Sequence, residues 1–133
     1  MTTTTFTVYG TAATKGSSIA FAGRHGVVVK PDCENLAAWS QACGWAARAA
    51  NVPLAPAGTA IAIDAVFTFV RPKSYPDRAW PHVRPDIDKL ARALLDALTH
   101  VAYVDDAQVV SLVIKKVYGP QPLMTVSVSE MVE

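Results

Sequence analysis

Residues 59–70, "TAIAIDAVFTFV", constrain the fold more than any other stretch. Ile61, Ile63, Ala65, Phe67 and Phe69 fall on one face of a strand by period two. The opposite face, Ala62, Asp64, Val66, Thr68 and Val70, is mostly apolar as well, with one acid. A strand apolar on both faces belongs inside a sheet, so the rest of the sheet is predicted to form around this segment. Directly after it, "RPKSYPDRAWPHVRP" (71–85) carries four prolines and reads as a loop. From Ile87 the apolar residues fall at 87, 90, 91, 94 and 98, which is helical spacing, with Asp88, Lys89, Arg92 and Asp96 on the polar side.

Other elements follow from the same rules. "TFTVYG" alternates Phe6 and Val8 with polar residues and reads as a first strand, followed by a turn-rich 11–18. "IAFAGRHGVVV" (19–29) reads as two short strands around a glycine-containing turn. Asp32 is placed to cap an Ala-rich helix over roughly 33–50, with Leu36, Trp39, Cys43 and Ala47 along one stripe and Pro53 beyond its end. "VVSLVIKKVY" (109–118) and "LMTVSVS" (123–129) flank "GPQP" and read as a terminal hairpin. The fold expected is α+β: one domain over 1–133, a mixed or mostly antiparallel sheet, and two main helices.

Composition narrows the class. Hydrophobic residues make up 51% of the 133 positions and charged residues 17%, which suits a globular chain with a proper core. No apolar run is long enough to cross a bilayer, and "MTTTTFTVYG" lacks the basic and apolar regions of a signal peptide. A cytoplasmic location, away from membranes, is therefore expected. Cys33 and Cys43 stand ten apart with no histidine cluster, so neither a zinc site nor a disulfide is expected. His25, His82 and His100 are dispersed, and no glycine-rich phosphate loop or nucleophile elbow is present.

Charge is distributed unevenly. Residues 86–106 hold Asp86, Asp88, Asp96, Asp105 and Asp106 against Lys89 and Arg92, a balance of −3, while the remainder carries +4. A compact acidic locus on an otherwise basic molecule suits a cation-dependent enzyme acting on a polyanion, although scattered surface charge explains it equally well. Asp86 follows Pro85 and is a plausible helix N-cap, and Asp88 in the first turn complements the helix dipole, so both have a purely structural reading. Three features point further. A second pair, Asp105–Asp106, follows the helix, and an antiparallel return would bring it back near the helix N-terminus. The loop before the helix interleaves Arg71, Lys73, Arg78 and Arg84 with Tyr75, Trp80 and His82, the mixture that grips phosphates and stacks on bases. Arg92 is four residues after Asp88, on the same helix face. Clustered carboxylates repel one another unless a cation joins them. Mg²⁺ or Mn²⁺, hard ions with oxygen ligands, suit such a site and suit phosphodiester hydrolysis.

The run "RPDIDKLARALLDALTHVAYVDDAQVVSLVIKKVYG" (84–119) strongly resembles the RusA-like Holliday junction resolvases, endodeoxyribonucleases of phages and prophages. The resemblance rests on Pro85, Asp86-x-Asp88, Lys89, Leu90, Arg92, Asp96-Ala97-Leu98 and Asp105-Asp106-x-Gln108-Val109-Val110. "TKGS" and "FTFVRPKS" are similar to the family more loosely. The resemblance implies a Mg²⁺-dependent enzyme that nicks four-way DNA junctions symmetrically. It places the catalytic, metal-holding acids at Asp86, Asp88 and Asp106, and the catalytic basic residue at Arg92, where the best-known pattern has lysine. Arginine holds a phosphate and stabilises charge but does not readily give up a proton. It also brings Lys15 into a DNA-binding set with Arg71, Lys73, Arg84 and Lys89. Paired nicks on a two-fold substrate require two equivalent sites, hence a homodimer on branched DNA. Two rivals remain: a non-catalytic protein that binds junctions, and a Mg²⁺-dependent phosphotransferase or phosphatase.

Overall fold

The structure, a computed structural model, describes residues 2–14, 18–23, 26–31 and 35–132, with the backbone alone for 18–31. In chain order the elements are β1 (Thr3–Tyr9), β2 (Ser18–Gly23), β3 (Gly26–Pro31), α1 (Leu36–Ala49), β4 (Ile61–Phe69), α2 (Ile87–Leu98), β5 (Val109–Tyr118) and β6 (Leu123–Glu130). A single 3₁₀ turn, Asp106–Gln108, leads into β5. The main sheet has the order β1-β6-β4-β5, and β2 pairs with β3 in a separate antiparallel ribbon. This is the α+β arrangement expected, with a mixed sheet and two helices. Arg24, His25, Asp32 and Cys33 lie outside the described residues.

β4 is interior, as its sequence demands, with β6 antiparallel on one side and β5 parallel on the other. Its first face is buried: Ile61, Ile63, Ala65 and Phe67 are at most 2% exposed. The second face is not. Asp64 and Val66 look outward, so β4 is central by pairing yet covered on one side only. Both helices pack on the buried face. α2 contributes Leu90, Leu94 and Leu98, all fully buried, and α1 contributes Trp39, Cys43 and Ala47. Burying each leucine is worth roughly 1.5–3 kcal/mol, which commits the amphipathic helix to this orientation. Burial also pushes the Cys43 thiol up to about 12, so it sits in the core as an unreactive apolar group.

α1 begins at Leu36 after Asn35, whose side chain makes no capping bond. It stops at a well-formed Schellman end: Val52 N–H donates to Ala47 O and Asn51 N–H to Arg48 O, both at 3.0 Å. Asn51 takes the left-handed φ of 61° that this motif requires, and Pro53 prevents any continuation.

The terminal hairpin does not form. β5 and β6 are separated by β4, and β6 pairs instead with β1 in full antiparallel register from Thr3↔Ser129 to Tyr9↔Leu123. Its buried Met124, Val126 and Val128 join Phe6 and Val8 in the core. On the opposite face Thr3 and Thr5 hydroxyls bond Ser129 and Ser127 at 2.8 and 2.9 Å.

Candidate nucleic-acid and metal site

The path from β4 through α2 to β5 positions every candidate side chain. β4 and β5 are parallel, so α2 is a crossover that runs back antiparallel to both. Its head therefore lies beside the C-terminal ends of β4 and β5, and its tail beside their N-terminal ends.

At the head, the 71–85 loop closes through a cis Arg84–Pro85 peptide into Asp86. Asp86 occupies the N-cap position with extended geometry, and its carbonyl accepts the Leu90 N–H at 3.1 Å. Its carboxylate makes no capping bond. The expected cap is thus met by backbone conformation alone, which leaves the carboxylate available. It faces the Lys89 ammonium at 3.5 Å. Asp88 sits in the first turn, exposed, where the helix dipole favours its charge. Arg92, one turn on, is exposed. A cavity of about 350 Å³ opens beside this head, lined by Thr11, Thr14, Phe69, Arg84, Asp86 and Lys89. An acid and two cations thus share one cleft wall.

Lys116, absent from the sequence-derived set, holds this head in place. Its ammonium donates to Val83 O at 2.7 Å and to Pro85 O at 2.8 Å. Burial lowers its pKa, and the nearby Asp86 charge opposes that shift. A signal was present in the sequence. On β5, Ile114 and Lys116 lie in register with the buried Ala65 and Phe67 of β4, so Lys116 is a lysine on an inward parity.

At the tail, Asp105 and Asp106 divide their roles. The Asp105 carboxylate caps the 3₁₀ turn, accepting from Ala107 N–H at 2.9 Å. The Gln108 side chain uses all of its bonding capacity. Its oxygen accepts from Val104 and Asp105 N–H at 2.9 and 3.0 Å, and its amide donates to Pro56 O and Thr59 O at 2.9 and 3.0 Å. Gln108 thereby ties the segment bearing Asp106 to the chain entering β4. Asp106 itself is exposed. Its charge, after burial, helps raise the pKa of the buried Tyr103, with Asp96 adding less. Tyr103 donates its hydroxyl to Leu95 O near the helix end.

The two acidic loci are therefore not adjacent. α2 has 12 residues, so its ends stand about 18 Å apart. The antiparallel return expected for Asp105–Asp106 is a parallel crossover instead, which carries the pair to the far end of the helix. Among the described residues, no three His, Cys, Asp or Glu side chains are placed to hold one metal ion. One chain brings Asp86 and Asp88 together and leaves Asp106 apart.

The DNA-binding candidates are also resolved in part. Arg84 and Lys89 line the cleft. Lys73 is exposed in the loop. The Arg71 guanidinium lies 5.0 Å from the centre of the Tyr118 ring, and its Nε donates to Arg78 O at 2.7 Å, so this side chain also braces the loop. Lys15 lies outside the described residues. No helix among the described residues is long and apolar enough to cross a membrane.

Comparison with known proteins places these features in context. The family model for endodeoxyribonuclease RusA matches residues 23–129, most of the chain. Over 51 residues the chain is 39% identical to the uncharacterized protein YqaN of Bacillus subtilis (strain 168). That match covers 38% of this chain and 36% of the relative, so it spans about a third of the curated protein's length.

Proposed function

Because the chain belongs to the endodeoxyribonuclease RusA family, we propose that it resolves four-way DNA junctions by paired nicks, as a divalent-metal-dependent homodimer. The observation that carries this reading is the head of α2, where Asp86 shares a cleft wall with Arg84 and Lys89 and Asp88 stands exposed in the same first turn. The acids suit a hard cation, and the bases suit the phosphates on either side of it.

Bound there, Mg²⁺ (or Mn²⁺ in its place) would supply an activated water and neutralise charge on the departing oxygen. The chain's own groups do the rest. Asp86 and Asp88 hold the cation. Lys89 neutralises Asp86 when no cation is bound and turns to a phosphate when one is. Arg92, permanently charged, steadies the phosphoryl oxygens rather than transferring a proton. Lys116 fixes the backbone on which Asp86 is mounted.

Asp106 enters through symmetry. A four-way junction has approximate two-fold symmetry, and a two-fold dimer can set the head of α2 from one subunit against the tail of α2 from the other. Asp106 of the partner subunit then completes each acid set, which accounts for the separation along α2. Lys73, Arg71 and Lys15 extend the basic surface along the DNA arms. Acting on DNA, the protein would work in the cytoplasm.

The test is cleavage of a synthetic four-way junction, a fork and a linear duplex, each with and without Mg²⁺. Symmetric nicks confined to branched DNA and abolished by chelation are expected. Tight junction binding with no nicking in Mg²⁺ or Mn²⁺ would replace this reading with that of a non-catalytic junction-binding protein. Equal cleavage of duplex would remove the junction assignment.

A second prediction concerns the clamp. Lys116→Met is expected to slow nicking about ten- to a hundredfold, the usual cost of losing a group that orients a metal-holding side chain. The same variant should raise the Mg²⁺ concentration for half-maximal rate while leaving junction affinity in chelator unchanged. An unaltered Mg²⁺ dependence would show that the clamp does not govern Asp86.

A further inference from the structure

The 71–85 loop is irregular yet braced by hydrogen bonds along its length, and it holds aromatic residues in water. Tyr75 N–H donates to Pro72 O and Arg78 N–H to Tyr75 O, at 3.1 and 3.2 Å. Arg71 spans the loop to Arg78 O and rests on Tyr118 of β5. At the other end Lys116, also on β5, grips Val83 O and Pro85 O. His82 N–H closes on Trp80 O at 2.8 Å, and Pro81 between them is buried. Both ends of the loop are thus anchored to one strand, and the tip is folded on itself.

What this scaffold displays is apolar. Trp80 is 60% exposed, Tyr75 54% and Val83 43%. The Arg78 guanidinium covers the Tyr75 ring at 4.1 Å, so that ring is engaged on one face. Trp80 is the loop's large free surface, six residues before Asp86 in a stretch that also carries Arg71, Lys73, Arg78 and Arg84 against Asp77 alone. An indole held out on a rigid mount loses little entropy when it meets a partner. The surrounding charges select a polyanion as that partner.

We propose that Trp80 is a stacking residue for the branch point, seating its indole on a base left without a stacking neighbour where the four arms meet. This deepens the junction-resolving reading and rests on it. Duplex arms bury their base faces, so an indole gains nothing from them, while a branch point exposes such faces. The loop would in this way convert a general affinity for phosphate into selection of branched over linear DNA. It would also fix how far the branch point lies from the carboxylates at the head of α2.

The experiment compares wild type, Trp80→Ala and Trp80→Phe in chelator, measuring binding to a synthetic four-way junction and to a linear duplex of the same sequence. Nicking of the junction in Mg²⁺ is followed in parallel. Trp80→Ala should weaken junction binding about tenfold or more and leave duplex binding unchanged, since stacking is worth about 1–3 kcal/mol per base. Trp80→Phe should retain most of the junction affinity. The exposed position predicts an unchanged melting temperature for both. Equal losses on junction and duplex, or none on either, would overturn the proposal while leaving the nuclease reading intact. A change of oligomeric state in Trp80→Ala, seen by sedimentation, would assign the indole to contact between copies and overturn it as well. If wild type neither binds nor nicks the junction in preference to the duplex, both readings fall.

Discussion

Replacing Asp86 with asparagine is expected to abolish nicking while leaving junction binding in place. The variant keeps the shape of the side chain and removes one full negative charge from the ion's surroundings. Charge stabilisation by a catalytic cation is worth several kcal/mol, so a rate loss of at least about a thousandfold follows. Asp88→Asn should behave alike. Neither change should harm folding much, because both carboxylates are exposed and Asp86 makes no capping bond. Asp88→Asn gives up a favourable interaction with the helix dipole, about 0.3–1 kcal/mol. Affinity for DNA should hold or rise, since an acid facing phosphates has been removed. Asp105→Asn is the instructive contrast. That carboxylate is occupied in capping the 3₁₀ turn, and an asparagine oxygen can still accept the Ala107 N–H. It should therefore retain most activity. Near wild-type nicking by Asp86→Asn would remove Asp86 from the site.

The fold was largely legible in the sequence, and the errors have physical causes. Period two located β1, β4, β5 and β6, and period 3.6 located α2, because each element buries one side against a common core. Alternation shows which face a strand buries but not which strand it pairs with. The short "GPQP" link suggested a hairpin, whereas β6 inserts between β1 and β4. A better signal lay in the Thr3, Thr5 and Ser127, Ser129 alternations, which meet as hydroxyl pairs on one face. The misplacement of Asp105–Asp106 came from the same source. A strand–helix–strand succession with a long crossover favours parallel pairing. Parallel pairing puts the residues before the second strand at the tail of the helix. The position of Asp86 and Asp88 at the helix start was readable because helix starts are set by local sequence. Lys116 and Gln108 act through backbone atoms 31 to 52 positions away, contacts that only the assembled crossover creates.

That separation gives the most discriminating expectation. Mixed in equal amounts and allowed to exchange subunits, the inactive Asp86→Asn and Asp106→Asn proteins should recover nicking. In a two-fold dimer whose sites each combine the head of one α2 with the tail of the other, a mixed dimer places both substitutions in one site. The second site is then wild type throughout. Random exchange makes half of the dimers mixed, so about a quarter of the wild-type number of sites should return. The nicks should be unpaired, one strand per binding event, because each mixed dimer has a single working site. Mixing Asp86→Asn with Asp88→Asn provides the control. Both residues belong to the same helix head, so every site in that mixture carries one substitution and none should recover. A site contained within one chain predicts no recovery from either mixture. Recovery from the first mixture alone requires that Asp106 act in the partner's site, and it would explain why a single chain leaves its acids at opposite ends of α2.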